Sequence, residues 1–231
     1  MVSGALVRPR LWWKSRGLST AAEPTLKRLL DSQRALLGKP LGQLPLLALD
    51  LEMTGLNPLQ DQILSIGVVP IDNGQVNLAG AASILVEIDG SVGQSAAIHG
   101  ITDRELAGAL SLGEAMAWLV SKLEGRIALA HHAPLDLGFI REGIKCSYGS
   151  HLPLLAIDTL QIERSRLLRG QEVLKEGSLR LGASRDRYGL PVYHAHNALT
   201  DALSCAELFL AQLACMGAQT QSADPYLLLC D

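Results

Sequence analysis

The stretch from residue 44 to 217 of this 231-residue chain predicts a mixed α/β sheet flanked by helices. Three observations carry the prediction. Apolar runs of strand length open the region, and a hairpin signal at Asn73–Gly74 joins two of them. From Ser111 onward, stretches with helical spacing alternate with short apolar strands. Strands followed by alternating helix and strand indicate a sheet with helices packed on it.

Taken in order, "EPTLKRLLDSQRALLG" carries a helix start at Pro24, a stop at Gly38 and an apolar stripe of Leu26, Leu29, Leu30, Leu36 and Leu37. "KPLGQLP" reads as a linker, with the main domain beginning near Leu44. "LLALDL", "ILSIGVVPI" and "VNLAGAASILVEI" read as an antiparallel meander of three strands, with turns at "TGLNP" and at Asp72–Gly74. "SLGEAMAWLVSKLEG" is a helix opened by Ser111 and Glu114 in capping-box spacing and stopped at Gly125. "RIALAH" is a short buried strand, "PLDLGFIREGI" a helix, "LLAIDT" a strand, "TLQIERSRLLRG" a helix, and "ALTDALSCAELFLAQLACMG" the last helix. The expected organisation is an N-terminal tail and helix over 1–43, one domain over 44–217 and a C-terminal tail over 218–231.

Apolar residues make up 48% of the chain, enough for a substantial core. A net charge of −3 excludes a uniformly basic nucleic-acid binder but leaves room for a locally basic face. Residues 160–187 are such a segment, with Arg164, Arg166, Arg169, Lys175, Arg180, Arg185 and Arg187. It reads either as a guide for a phosphate backbone or as a solvated helix face. Cys146, Cys205, Cys215 and Cys230 form no C-x-x-C pair. With no apolar run suited to a signal peptide or a membrane span, a cytoplasmic protein without membrane contact is expected. The start, with Trp12–Trp13 among cations, reads as a tail or as a transit-like or interfacial segment.

The chemistry concentrates in the carboxylates. Asp50 and Glu52 lie two positions apart in an apolar strand, so both side chains point to one face, about 6–7 Å apart along it. A single buried acid is commonly satisfied by an amide or an arginine. Two on one face both need compensation, by protonation or by a cation. Asp136, early in one helix, and Asp201, early in the last, complete a set of four acids whose oxygens suit Mg²⁺ or Mn²⁺ better than zinc.

The motifs resemble a known family. "LDLEMTG" is similar to the first motif of the DEDD 3′–5′ exonucleases, "HHAPLD" to the second and "HNALTD" to the third. "IHGITDREL" resembles a segment of the epsilon-type proofreading subunits of bacterial DNA polymerase III, while "DLEMTGL" is closest to oligoribonuclease. The resemblance covers roughly residues 44–215 and implies a ribonuclease-H-like sheet. His196 stands five positions before Asp201, and Asn197 stands where the other branch has Tyr, so the chain resembles the histidine (DEDDh) branch. His194 and Tyr193 are off position. His132 and Leu135 depart from the usual second motif, which has Asn and Phe there, and Met53 follows the Glu as in oligoribonuclease.

The resemblance implies two divalent cations, Mg²⁺ or Mn²⁺. Asp50 would bridge them, Glu52 and Asp201 would hold the ion at the attacking water, and Asp136 would serve the second. His196 would take the proton of the water. Met53, Thr54 and His99 are the expected substrate contacts. The expected reaction is hydrolysis at the 3′ end of single-stranded DNA, releasing 5′-mononucleotides. The alternatives are an oligoribonuclease or RNA-trimming enzyme and a non-catalytic nucleic-acid or polymerase interaction module. A polymerase or other replication or repair protein is the partner class implied.

Overall fold

A computed structural model describes residues 24–170 and 173–230. The N-terminal segment with Trp12–Trp13 lies outside the described residues. In chain order the structure gives α1 (Pro24–Arg34), β1 (Leu46–Met53), β2 (Ile63–Asp72), β3 (Gln75–Val76), β4 (Ala82–Leu85), α2 (Ala96–His99), α3 (Asp103–Leu106) and α4 (Leu112–Leu123). There follow β5 (Ile127–Ala130), α5 (Ala133–Tyr148), β6 (Leu154–Asp158), α6 (Thr159–Arg169), α7 (Leu181–Asp186), α8 (Ala198–Met216) and β7 (Leu227–Cys230). The strands form one mixed sheet in the order β3-β2-β1-β5-β6-β7, with β4 also on β2.

The antiparallel half is the predicted meander. β1 and β2 pair from Leu46↔Ile71 to Glu52↔Ser65, and a bulge between Glu52 and Met53 bends β1 just past its two acids. The third run is not one strand. Asn77 caps a single 3-10 turn over Leu78–Gly80 by accepting the Gly80 N–H at 3.1 Å, so the run splits into β3 and β4, both on β2. The other half is parallel, β1 beside β5 and β5 beside β6. Both strands of the βαβ unit, "IALA" and "LLAID", are buried throughout, as parallel strands covered on both faces are.

The helix signals act as read. Ser111 and Glu114 form the capping box of α4. The α5 helix stops at Gly149 in the left-handed conformation (φ 66°), which glycine adopts without steric cost. Three helices were not anticipated: α2, α3 and α7. The α3 helix opens on a local capping box, Thr102 N–H to Glu105 Oε2 at 2.8 Å.

The ends join the same core. Leu26, Leu29 and Leu30 of α1 are buried, and Gln33 ties the helix to the sheet, donating to the Arg126 carbonyl at 3.0 Å and accepting the Leu155 N–H at 3.1 Å. The expected linker buries Leu41 and Leu44, and its Leu41 and Gly42 amides donate to Gln221 and Gln219. Residues 218–231, expected as a tail, instead supply β7, antiparallel to β6. Their apolar run is too short to show at sequence level which strand it will meet.

By length and composition α8 alone among the described residues is apolar enough to cross a membrane. Here it is the core helix. Ala202, Cys205, Ala206, Phe209 and Leu213 face inward, and burying one side chain of the size of Phe209 stabilises by about 1.5–3 kcal/mol.

Candidate active site

Gly67 on β2 lies opposite Asp50 on β1. A Cβ on Gly67 would sit 2.1 Å from the carbonyl carbon of Ala198, so only glycine lets the first turn of α8 rest directly on the sheet. That contact brings Asp201 over the acids of β1. Oxygens of Asp50, Glu52 and Asp201 lie within 4.8 Å of one another. Asp201 is fixed from its own side: its Oδ2 accepts the His196 N–H at 2.7 Å, while Asn197 caps the helix by accepting the Thr200 N–H at 3.1 Å.

Asp136 is buried in the first turn of α5 and is not one of the three whose oxygens converge. Its carboxylate takes the N–H of Leu51 and its own N–H, which holds it beside β1. The start of α5 is built by His132, whose backbone is left-handed (φ 80°) and whose N–H donates to Asp158 Oδ1 at 3.0 Å. Asp158 also caps α6 through the Leu160 N–H at 2.9 Å.

The electrostatics of the cluster all run one way. Burial, then the charges of Asp136, Asp201 and Glu52, holds the Asp50 carboxyl well above the usual range. Burial and Asp201 push Glu52 up to about 7. Burial pushes Asp136 up to about 8, with Asp158 and Glu52 adding to it against the two N–H groups. Asp201 is also raised by burial, against the opposing N–H groups of His196 and Asn197. Among the described residues no Lys or Arg ion-pairs with any of the four. Unpaired hard oxygens that repel one another are the donor set of a divalent cation such as magnesium or manganese, and the residues fit one.

The histidines separate into roles. His196 is exposed at the mouth of the cluster, in the left-handed conformation (φ 68°). His99 accepts the Ile101 N–H through Nδ1 at 3.1 Å, and its Nε2 is buried without a partner. Burial and the charge of His196 hold its pKa down, so the two rings are neighbours. His131 is structural: Nδ1 meets the Thr159 hydroxyl at 2.8 Å and Nε2 the Leu179 carbonyl at 2.7 Å. His132 is exposed, and so is His194, which is not among the residues that converge.

Met53 is half-buried against the core at the end of β1. Thr54 is committed to the turn that follows, its Oγ1 accepting the Gln62 N–H at 2.9 Å and its N–H donating to the Gln62 carbonyl at 3.0 Å. A Cβ on Gly55 would lie 2.5 Å from the Asp61 carboxylate, so a side chain there would push Asp61 off the Asn57 N–H it accepts at 2.8 Å. The turn leaves Leu56 and Leu59 about three-quarters exposed (74% and 76%) beside the site, a feature not foreseen from sequence.

The basic segment does not form one face. Glu163, fully buried, takes Arg166 at 2.8 Å, Arg187 at 3.3 Å and the Tyr188 hydroxyl at 2.8 Å. Arg185 is 4% exposed and bonded inside the fold. Arg164, Arg169, Lys175, Arg180 and Arg187 of that set are exposed, and of these Arg187 is turned onto Glu163. Sequence reasoning also missed Gly67 and Asp158. A glycine inside a strand is a signal of close backbone approach, but Asp158 looked like the end of a strand.

The profile of the RNase_T family, described as Exonuclease, matches residues 47–209. A DNA polymerase III of PolC type from Thermotoga maritima is 31% identical over 194 residues, 84% of this chain and 13% of that protein. This chain thus spans about an eighth of that relative's length. A DNA polymerase III subunit epsilon from Treponema pallidum is 28% identical over 171 residues, 72% of this chain and 75% of that protein. Among solved structures, E. coli Exonuclease I in complex with a dT13 oligonucleotide superposes with a TM-score of 0.62 over 76% of this chain and 43% of that one. At 16% identity that likeness is one of fold, the ribonuclease-H-like sheet expected from the motifs. With the family profile covering the sheet from β1 to β6 and all four acids, the chain belongs to the RNase_T exonuclease family.

Proposed function

We propose that this protein is a divalent-metal-dependent 3′–5′ exonuclease of the histidine branch, acting on single-stranded DNA and releasing 5′-mononucleotides. The observation that carries the reading is the convergence of Asp50, Glu52 and Asp201 within 4.8 Å, unpaired, with the backbone of His196 bonded to one of them. Asp50, Glu52 and Asp201 would hold the cation, and Asp136 would contribute to a second ion of the same kind, Mg²⁺ or Mn²⁺. When bound, the ions supply positive charge against the reacting phosphate and its leaving oxygen.

The chain's own residues do the rest. An imidazole nitrogen of His196 accepts the proton of the attacking water, a general-base role that a ring exposed beside Asp201 can fill. Met53 and the backbone at Thr54 border the terminal nucleotide. His99, with Nε2 unpartnered, offers a polar contact to it. The crowded turn from Met53 to Leu56 leaves room for one terminal nucleotide, which makes cleavage directional. The oligonucleotide in the Exonuclease I complex supports single-stranded DNA, and the polymerase III relatives support a polymerase or other replication protein as partner. The described cysteines Cys146, Cys205 and Cys215 are unpaired thiols, in keeping with a reducing, cytoplasmic setting. We take residues 44–217 as the catalytic unit.

Met53, shared with oligoribonuclease at the sugar side of the site, favours RNA as the second reading. Digestion of 5′-labelled DNA and RNA oligomers with Mg²⁺, Mn²⁺ or EDTA decides between them. The proposal expects stepwise shortening of DNA from the 3′ end, arrested by EDTA, and intact circular DNA. Fragments from single-stranded circles, abolished in His196→Ala, would establish an endonuclease instead.

A further inference from the structure

We propose that Arg185, Glu207 and Tyr193 form a clamp that positions His196 for catalysis. The inference rests on the reading of His196 as the proton acceptor. His196 lies on an exposed segment between α7 and α8 that has no regular structure. Val192, in its middle, is 93% exposed. The segment borders a cleft of about 330 Å³ whose lining includes Leu181, Leu190, Val192, Tyr193, Ala195 and Asp201. The segment is therefore not held down by apolar packing, yet it carries the one side chain that must meet the attacking water at a defined place.

Polar contacts hold it instead. Arg185 projects from α7 into the interior. Its Nη1 donates to the Ser204 carbonyl of α8 at 2.6 Å, and its Nη2 donates to Glu207 Oε2 at 2.8 Å and to the Pro191 carbonyl at 2.9 Å. The guanidinium carbon lies 4.8 Å from the centre of the Tyr193 ring, within range of a cation–π contact. The Tyr193 hydroxyl donates to the second oxygen of Glu207 at 3.0 Å. The segment is thus fastened at Pro191 and Tyr193 to α8, the helix that carries Asp201. Three residues after Tyr193, the His196 N–H closes on Asp201 itself. Base and acid cluster are referenced to one rigid element.

Arginine suits this place because its planar fork serves three acceptors at once while its face stacks on the ring, which lysine cannot reproduce. Arg185, Glu207 and Tyr193 are positioning residues, since none touches the reacting atoms.

The test compares Glu207→Gln, Tyr193→Phe, Arg185→Met and Arg185→Lys with His196→Ala and wild type. It reads kcat, KM, the melting shift produced by Mn²⁺ and amide hydrogen exchange over residues 188–197. The clamp variants should lower kcat by up to about 100-fold, the scale of a misplaced catalytic group. KM and the Mn²⁺ melting shift should stay near wild type, and exchange should quicken over 188–197 but not along α8. Arg185→Lys should not restore kcat; restoration would assign the effect to charge and overturn the proposal. Unchanged exchange in Glu207→Gln and Tyr193→Phe, or a kcat loss matched by a lost Mn²⁺ shift, would overturn it too. If His196→Ala keeps wild-type turnover, the reading of the active site fails, while the exchange pattern still decides whether the clamp exists.

Discussion

Glu52→Gln should stabilise the metal-free protein at neutral pH while abolishing its activity. The carboxyl of Glu52 is 8% exposed as a residue and is pushed from its ordinary 4.5 to about 7 by burial and by Asp201. A group that binds its proton more tightly folded than unfolded loses stability as pH rises. Its contribution is fully present below about pH 4.5 and is lost as pH climbs through about 7. At neutral pH and above, the ionised form therefore costs about 3 kcal/mol of folding free energy. Glutamine keeps the shape without the charge, and Asp50 and Asp136, both raised in part by Glu52, relax as well.

Urea denaturation in EDTA at several pH values measures the difference. A gain of about 3 kcal/mol is a shift of about 1–1.5 M in midpoint at the slope usual for such domains. The gain should be absent near pH 4, grow across the window and level off above about pH 7. With a binding cation at about 100 times its dissociation constant, wild type recovers about 2.7 kcal/mol and the order of the two proteins closes or inverts. Equal midpoints in EDTA at pH 8, or a gain that does not change with pH, would refute the account of the acids as an uncompensated cluster.

Three further outcomes are expected. Asp50→Ala should lower nuclease turnover by about 10³-fold or more with the fold retained, read by activity beside circular dichroism. Gly67→Ala should destabilise by about 3 kcal/mol or more, because the added methyl meets backbone rather than a movable side chain, and should depress activity by displacing Asp201; melting temperature and turnover read the two effects. Glu163→Ala should cost about 2–3 kcal/mol, since it removes the carboxylate shared by Arg166, Arg187 and the Tyr188 hydroxyl, a cost held down by the partial exposure of both arginines. Burial alone would raise the Glu163 carboxyl, but Arg166, Tyr188 and Gln212 together hold it low. Its contribution is present above about pH 4.5 and lost as pH falls below it, so the penalty should shrink in acid.

Local rules carried the sequence reading a long way. The period of two put Asp50 and Glu52 on one face of β1, the capping box and Gly125 bounded α4, and the proline at its start marked α5, because those signals act within a few residues of themselves. The acids Asp136 and Asp201 stood out by their places early in two helices, and the motif resemblance then gave them roles. The structure gives them different standing: Asp201 joins the converging oxygens, while Asp136 is held back by the Leu51 amide. What stayed hidden was long-range. Nothing local to "LLALD" says that Gly67 will sit opposite Asp50 under a helix that begins more than a hundred residues later. A count of arginines could not tell Arg185, buried against α8, from Arg164 at the surface.

The same separation explains why the site costs stability. The elements that present the acids are each satisfied by their own local bonds: β1 by its ladder, α5 by Asp158 and the left-handed His132, α8 by Asn197 and by packing on Gly67. None of these interactions needs the carboxylates to be neutralised. The scaffold is therefore strong enough to hold four raised acids together without a counter-charge, and the repulsion stays in the folded state instead of relaxing into a rearranged site. A cation that relieves it gains from geometry already formed, which ties affinity for the ion to the packing of α8 over Gly67.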